Sequence, residues 1–343
     1  MKQLLNSLYI QTQGAYLHLE RDTLRVEVER ELRLQMPLHH LGSIVAFGNV
    51  LFSPFLLHRC GVDGRSVVWM TEYGRFKGRL AGPTSGNVLL RRTQYAALDT
   101  SDRTLDIARC LVAVKLQNAR HVLMRAAREI QAEGDRSALK HAAEIHARGI
   151  RQVENVAALN DLRGVEGFAA KAYFQAFSSM VKTNRDVFAL QERSRRPPRD
   201  PINALLSFAY TLLANDYVSA CEGVGLDPQV GYLHALKPGR PALALDLMEE
   251  LRAPFADRLV LTLVNRQQIQ PNDFVERTGG AVMLTDSARK TFLAAYQKRK
   301  QDEVAHGVLE KKVPLGLVPH LQARLLARHL RGDLPSYLPF IQR

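Results

Sequence analysis

Apolar and polar residues alternate along the first hundred residues of the chain. Residues 15–20 and 24–28 each place an apolar side chain at every second position, with polar residues between. A period of two with one charged face is typical of antiparallel hairpins that cover a core on one side. Short apolar runs punctuated by glycines continue to about residue 98, and a short helix is predicted over 53–60. The pattern predicts a small β-rich domain, of sandwich or roll type, over residues 1–98.

The period changes after a cluster of turn-forming residues at 82–87. From Arg103 onward the apolar residues fall on one stripe of a helix, and this stripe also contains Lys115. Further helices are predicted over residues 137–158, 167–181, 203–221, 241–251, 253–265, 285–300 and 318–330. The predicted fold class is therefore α+β multidomain, in which a larger all-α domain over residues 99–343 follows the β-rich domain.

Charge and cysteine content indicate what kind of partner the protein binds and in which cellular compartment it works. Forty-seven Lys and Arg against 34 Asp and Glu give a formal net charge of +13, so nucleic acid is the first partner to consider. Three widely spaced cysteines form neither a disulfide framework nor a metal knuckle. The amino terminus lacks a signal-peptide pattern, and no window approaches the ~20 apolar residues of a membrane span. These features predict a cytoplasmic protein without a membrane segment.

A histidine and a pair of acids dominate the stretch from residue 231 to 258. His234 lies in a loop-like run, and Pro241 opens a helical pattern that carries Asp246 and Glu249. Residues three apart share one helix face, and the mostly apolar surroundings predict that these carboxylates are buried and need partners. One histidine with carboxylates suits magnesium or manganese better than zinc.

Other interpretations of these acids remain open at this point. The helix acids could be solvated or paired with Arg252 and Arg258. Glu166 lies between two glycines just ahead of an apolar helical pattern, where metal or phosphate could approach closely. An acid at the start of a helix also offsets the helix dipole, without any ligand.

Two basic segments could contact a polyanion. Residues 193–200 carry four arginines and two prolines, which predicts an exposed, stiff connector that either clamps phosphates or is solvated. Lys115, Arg120, His121 and Arg125 lie on the first long helix, where an ordinary polar face is the simpler interpretation. With 7% aromatic residues, backbone recognition of nucleic acid is expected more than base stacking.

Four motifs resemble one protein family in order and spacing. They are LRGVEGFAAKAYF (162–174), RRPPRDPINALLSFAYTLL (195–213), GYLHALKPGRPALALDLMEELRAPFADR (231–258) and LTDSARKTFLAAYQKRK (284–300). On these motifs the chain resembles the CRISPR-associated spacer-acquisition integrases, the Cas-one family, and most closely their type I-C branch. The resemblance covers most of the second domain, whereas the first domain matches only in its general pattern.

The resemblance implies one divalent-metal site in the helical domain, filled by Mg²⁺ or Mn²⁺. The family's catalytic and metal-binding residues fall on Glu166, His234, Asp246 and Glu249. Many relatives have aspartate at the last of these positions, so Glu249 could bind metal directly or through water. Glu250 is a lower-ranked substitute for that acid.

The resemblance also implies a reaction and an assembly. The 3′-hydroxyl of a short double-stranded DNA fragment would attack a phosphodiester at the edge of a CRISPR repeat, and the metal would polarise the scissile phosphate. The β-rich domain would serve in dimerisation and contact DNA ends. Two homodimers would bracket a dimer of a small ferredoxin-like partner, the Cas-two family. The residues expected to bind DNA backbone are Arg193, Arg195, Arg196, Arg199, Lys237 and Arg240.

Two further functions fit the same residues. A structure-selective nuclease for branched DNA in repair could use the same metal site, because the site could deliver water in place of a 3′-hydroxyl. A non-catalytic basic DNA-binding scaffold, in which the acids only cap and pair, is the alternative from another class of protein.

Overall fold

Strands concentrate in the first eighty residues, and helices make up most of the rest of the chain. The computed structural model describes residues 6–82, 88–194 and 197–342. The strands are β1 (Ser7–Ile10), β2 (Ala15–Glu20), β3 (Thr23–Val28), β4 (Glu31–Pro37), β5 (Ser43–Phe47), β6 (Val50–Phe52), β7 (Ser66–Met70), β8 (Phe76–Arg79), β9 (Phe274–Arg277), β10 (Ala281–Leu284), β11 (Glu303–His306) and β12 (Lys311–Pro314). The helices are α1 (Pro54–Val62), α2 (Val88–Asp99), α3 (Ser101–Glu129), α4 (Glu133–Val153), α5 (Leu159–Gln175), α6 (Pro201–Val224), α7 (Ala242–Leu251), α8 (Arg258–Asn265), α9 (Asp286–Lys300) and α10 (Val318–Leu330).

Strands β1 to β8 form two four-stranded sheets. One has the order β4-β3-β2-β6 and contains the predicted antiparallel pair of β2 with β3, and β3 also pairs antiparallel with β4. The other has the order β1-β5-β7-β8, in which β1, β5 and β7 run parallel. The parallel pairing of β5 with β7 is possible because β6 and α1 form a crossover between them.

The alternating apolar residues build the core of these sheets. Leu17, Leu24 and Val26 are buried in one hydrophobic cluster with residues of β5, β7 and α1. Tyr16, the neighbour of Leu17 on β2, is 39% exposed. Since a shift of one residue would exchange the two faces of a strand, this burial fixes the strand register.

The chain clusters into two compact units. The first comprises Met1–Ser85 and Leu284–Gln301, and the second comprises the rest. The sequence pattern extends the β-rich region to residue 98, whereas residues 88–99 form helix α2. The reason lies in the spacing, because the buried residues of this helix are three and four apart: Leu90, Gln94 and Ala97.

Helices dominate the second unit. The long helix α3 packs against α4, α5 and α7. Between α7 and α8 the segment Arg252–Asp257, which contains Pro254, is a π-helix, a widening that often occurs at functional sites. The division into a β-rich region and a larger helical region is confirmed, but "all-α" is wrong for the second, because the hairpins β9–β10 and β11–β12 interrupt its helices. In the described ranges, no helix is both long and apolar enough to span a bilayer.

Candidate active site

Glu166 lies inside helix α5 rather than ahead of it. The helix begins at Leu159, so Glu166 is about two turns from the positive end of the helix dipole, which falls off within the first turn. Compensation of that dipole therefore does not explain this acid. Its carboxylate forms an ion pair with the Lys115 ammonium of helix α3, and its side chain is 24% exposed.

Glu249 shares the same lysine. Lys115 Nζ lies 2.8 Å from Glu249 Oε2, and Arg252 Nη1 lies 2.6 Å from Glu249 Oε1. Burial acts to raise the pKa of Glu249, but the positive charges of Arg252 and Lys115 outweigh it and lower the pKa to about 2. The carboxylate is therefore ionised, and the cluster joins α3, α5 and α7.

Asp246 holds the loop that carries His234. Its carboxylate is fully buried and accepts hydrogen bonds from the backbone N–H groups of Tyr232 (2.6 Å), Leu233 (2.9 Å) and His234 (2.9 Å). A fourth contact, 2.6 Å long, joins His234 Nδ1 to Asp246 Oδ1. Because a carboxylate only accepts, Nδ1 donates in this contact, and in a neutral imidazole Nε2 then keeps the lone pair that can bind a metal. These contacts favour a positioning role for Asp246 over direct metal ligation.

Glu250 faces a different part of the unit. Its carboxylate accepts hydrogen bonds from the Tyr337 hydroxyl and from the backbone N–H of Phe340, the latter at 2.9 Å. The Asn118 amide donates to the Glu250 carbonyl (2.8 Å) and to the Phe340 carbonyl (2.9 Å). Glu250 therefore ties helix α7 to the carboxy-terminal segment and does not join the acids around Lys115.

The side chains of Glu166, Glu249 and His234 are of the types that fit a hard divalent cation, because Mg²⁺ and Mn²⁺ accept carboxylate and imidazole ligands. In the part of the chain that the structure describes, however, no three His, Cys, Asp or Glu side chains are spaced to hold a metal ion. The Lys115 ammonium lies where a cation would contact both Glu166 and Glu249. The adjoining cleft has a volume of about 60 Å³, which is enough for an ion and a water.

Lys115 is the site residue that sequence reasoning missed. The sequence predicts an ordinary polar helix face for this residue, yet its side chain is only 13% exposed and contacts both acids. The signal was present in the pattern, because Lys115 falls on the apolar stripe of α3 between Val112 and Ala119. A lysine on a buried stripe needs an anionic partner.

A buried cluster of Tyr210, Tyr173 and Asp257 packs against Arg252. The Arg252 guanidinium lies 4.4 Å from the ring centroid of Tyr210, a cation–π contact. The hydroxyls of Tyr210 and Tyr173 donate to Asp257 at 2.5 Å and 2.9 Å. Burial raises the pKa of Asp257 to about 6, against the lowering effect of the Tyr210 hydrogen bond and the Arg252 charge. Arg252 is therefore fixed on two sides.

Arg193, one of the predicted DNA-binding residues, is engaged with the protein itself. Its guanidinium lies 5.3 Å from the ring centroid of Tyr210 and 5.9 Å from that of Phe174, and it donates a hydrogen bond to Asn203 Oδ1. These contacts anchor the start of the arginine-rich segment against α5 and α6, so that Arg193 is committed to packing.

The other predicted DNA-binding residues differ in their exposure. Arg199 and Lys237 are exposed, and Arg240 is half-buried in the loop ahead of helix α7. Arg195 and Arg196 lie outside the described residues. Three cations are thus placed where a polyanion can reach them.

Most of the chain matches one known protein family. The family described as "CRISPR associated protein Cas1" matches residues 8–298. The chain belongs to the Cas1 family. The predicted resemblance to the CRISPR spacer-acquisition integrases is thereby confirmed, and the chain is an enzyme, a CRISPR-associated endonuclease.

Cas1 relatives align with the chain from end to end. The chain is 56% identical over 343 residues to "CRISPR-associated endonuclease Cas1 1" of Moorella thermoacetica, covering 100% of both chains. It is 49% identical over 344 residues to "CRISPR-associated endonuclease Cas1 2" of Rhodospirillum rubrum, covering 99% of both. A solved Cas1 structure from Thermotoga maritima superposes with a TM-score of 0.80 at 25% identity, over 95% of this chain and 97% of that one. The β-rich and helical regions together are thus the Cas1 fold.

Proposed function

We propose that this Cas1 family member is a metal-dependent integrase of CRISPR adaptation, of the type I-C branch, that inserts short DNA fragments into a CRISPR repeat. In each transesterification the fragment's 3′-oxygen forms a bond to phosphorus, and the 3′-oxygen of the cut strand leaves and takes up a proton. The observation that carries the proposal is the convergence of Glu166 and Glu249 on one cation.

The residues divide into ligands and a positioning group. Glu166, Glu249 and Nε2 of His234 would hold Mg²⁺ or Mn²⁺. A bound ion of this kind supplies Lewis acidity at the scissile phosphate. Asp246 holds His234 in the tautomer that presents Nε2 and is not itself a ligand, because its oxygens already accept from three backbone N–H groups. Arg252 keeps Glu249 ionised and oriented.

DNA would bind along the basic residues next to this centre. Lys237 and Arg240 lie in the loop that begins at His234, and both belong to a chain with a net charge of +13. Arg199 is an exposed cation at the end of the arginine-rich segment. We include Arg195 and Arg196 as phosphate contacts on sequence grounds and assign Arg193 to support of the site. A casposase with the same fold, at a TM-score of 0.82, has been solved bound to an integration product.

The assembly would be a homodimer formed through the β-rich unit. Leu51, Phe55 and Val62 of that unit are 57%, 77% and 77% exposed, and large apolar side chains left in water favour a protein partner. A solved "Cas6-RT-Cas1--Cas2 complex", whose matching part superposes with a TM-score of 0.83, supports a small ferredoxin-like Cas-two partner. We place the assembly in the cytoplasm, where host DNA is accessible.

A joining assay tests the proposal. A labelled duplex fragment with 3′-hydroxyl ends is incubated with a supercoiled plasmid that carries the repeat, with Mg²⁺ or Mn²⁺. The expected result is label covalently attached to the plasmid, and no attachment with 3′-deoxy ends or with EDTA. Cleavage of branched DNA without joining would identify a repair nuclease instead. DNA binding that is indifferent to metal, without cleavage of any DNA, would identify a scaffold.

A further inference from the structure

The position of Lys115 has a consequence for how metal enters the site. Its ammonium is paired with Glu166 and lies 2.8 Å from Glu249 Oε2, so it occupies the space between the two carboxylates that would serve as ligands. A divalent ion and this ammonium compete for the same oxygens. Both cannot occupy the position at once, because like charges at contact distance repel strongly in a site of low dielectric.

Charges in the cluster are balanced without a metal. Lys115 and Arg252 offset Glu166 and Glu249, two positive charges against two negative ones. Glu249 Oε2 is buried and, among the described residues, makes no hydrogen bond of good geometry. Its contact with Lys115 is thus mainly electrostatic, and its lone pairs remain suited to a cation.

Of the two cations, Lys115 is the one that can leave. Arg252 is stacked on Tyr210 and hydrogen-bonded to Glu249, which fixes its planar guanidinium in place. Lys115 carries a compact charge on a flexible four-carbon stem, and the adjoining cleft has a volume of about 60 Å³. Its side chain can therefore swing away while helix α3 stays in place.

We propose that Lys115 is a displaceable counter-ion that closes the metal site in the metal-free protein and that a divalent ion must expel. This inference rests on the proposed metal site of Glu166, His234 and Glu249. Lys115 keeps Glu166 and Glu249 paired before metal arrives. It also lowers the apparent affinity for metal, because only the fraction of molecules with Lys115 displaced is competent to bind.

The test measures Mn²⁺ binding to the full chain without DNA, by the electron paramagnetic resonance signal of free Mn²⁺ and by the rise in melting temperature. Lys115→Met removes the charge but keeps an unbranched side chain. Lys171→Met, at an exposed lysine of α5, is the matched control. We expect Lys115→Met to reach half-saturation at a Mn²⁺ concentration at least about tenfold below that of the wild type. Without metal its melting temperature should be lower than that of the wild type, and the rise in melting temperature on adding Mn²⁺ should be larger. Lys171→Met should behave like the wild type.

The outcomes separate this inference from the proposed site. Equal half-saturation of wild type and Lys115→Met would overturn the counter-ion role and leave the metal site standing. Absence of Mn²⁺ binding in both proteins would overturn the site and the inference together. If Lys115→Met does not fold, Lys115→Arg serves instead. Arginine retains the competing charge, so half-saturation at or above the wild-type value supports the inference, and a tenfold fall contradicts it.

Discussion

Glu249 and Glu250 are consecutive residues of helix α7, yet their carboxylates lie in opposite electrostatic surroundings. Glu249 lies between Lys115 and Arg252, whose charges overcome burial and lower its pKa to about 2. Burial raises the pKa of Glu250 to about 8, although the hydrogen bond from Tyr337 acts to lower it. Successive helix positions are about 100° apart, so one acid faces the proposed metal site and the other faces the carboxy-terminal segment.

This separation predicts unequal effects of two matched substitutions. Glu249→Gln removes a charged ligand that would be worth several kcal/mol at the transition state, so joining should be at least about 100-fold slower. Glu250→Gln should stay within about threefold of the wild type, because its side chain does not face the site. The joining assay measures both, with circular dichroism to confirm folding. A larger loss in Glu250→Gln would mean that Glu250, and not Glu249, is the second acid of α7 in the site.

Glu250 also predicts a pH dependence of stability. Its pKa rises from an ordinary value of 4.5 to about 8 on folding, so between these pH values the folded protein holds a proton that the unfolded chain lacks. The free energy of unfolding should therefore fall as pH increases through this range, by up to about 1.4 kcal/mol per pH unit. Urea denaturation from pH 5 to 8 should show this slope in the wild type and a shallower one in Glu250→Gln. Parallel curves for the two proteins would contradict the assignment.

Much of the site could be predicted from local spacing. Asp246 and Glu249 are three residues apart, which places them about one turn from each other on α7, and the apolar residues around them predict the burial that both show. The run that contains Pro238 and Gly239 predicts a loop around His234, and Pro241 predicts the start of the helix that follows, which is α7. Such features depend on neighbours within one or two helical turns.

The features of the site that could not be predicted from the sequence depend on contacts between residues far apart in the chain. Glu250 meets Tyr337 across 87 positions, and Lys115 meets Glu166 across 51, so neither partner is visible in a local period. The pattern places Lys115 on the apolar stripe of its helix but does not show which residue pairs with it. The contrast between Asp246 as a positioning group and Glu249 as a ligand likewise depends on which atoms surround each carboxylate.

Asp246 predicts a result that distinguishes positioning from ligation. In Asp246→Asn the amide group places an N–H donor against donors of the Tyr232 to His234 loop, so the loop and the His234 tautomer are disturbed. Loss of an outer partner of a metal ligand typically reduces affinity by about 10- to 100-fold. Mn²⁺ titration should therefore show weakened but measurable binding to Asp246→Asn and no binding to Glu249→Gln. Equal abolition in both variants would make Asp246 a direct ligand.

Gly231 sets the distance between this loop and helix α7. A Cβ atom on Gly231 would lie 2.6 Å from Asp246 Oδ2 and 2.6 Å from the backbone carbonyl carbon of Ala242. The backbone atom cannot turn aside as a flexible side chain could, so Gly231→Ala forces the loop away from the helix. Overpacking of this kind typically costs about 1–3 kcal/mol of stability.

Gly134→Ala is the matched control for this last prediction, because no atom lies within 4 Å of its added Cβ and the residue is in helix α4. Gly134→Ala should be neutral or stabilising by up to about 1 kcal/mol. Gly231→Ala should lower both the melting temperature and the affinity for Mn²⁺, because the hydrogen bonds that orient His234 start from the residues next to Gly231. If Gly231→Ala lost stability but bound Mn²⁺ with wild-type affinity, the close approach of loop and helix would matter for folding alone, and His234 would be oriented without it.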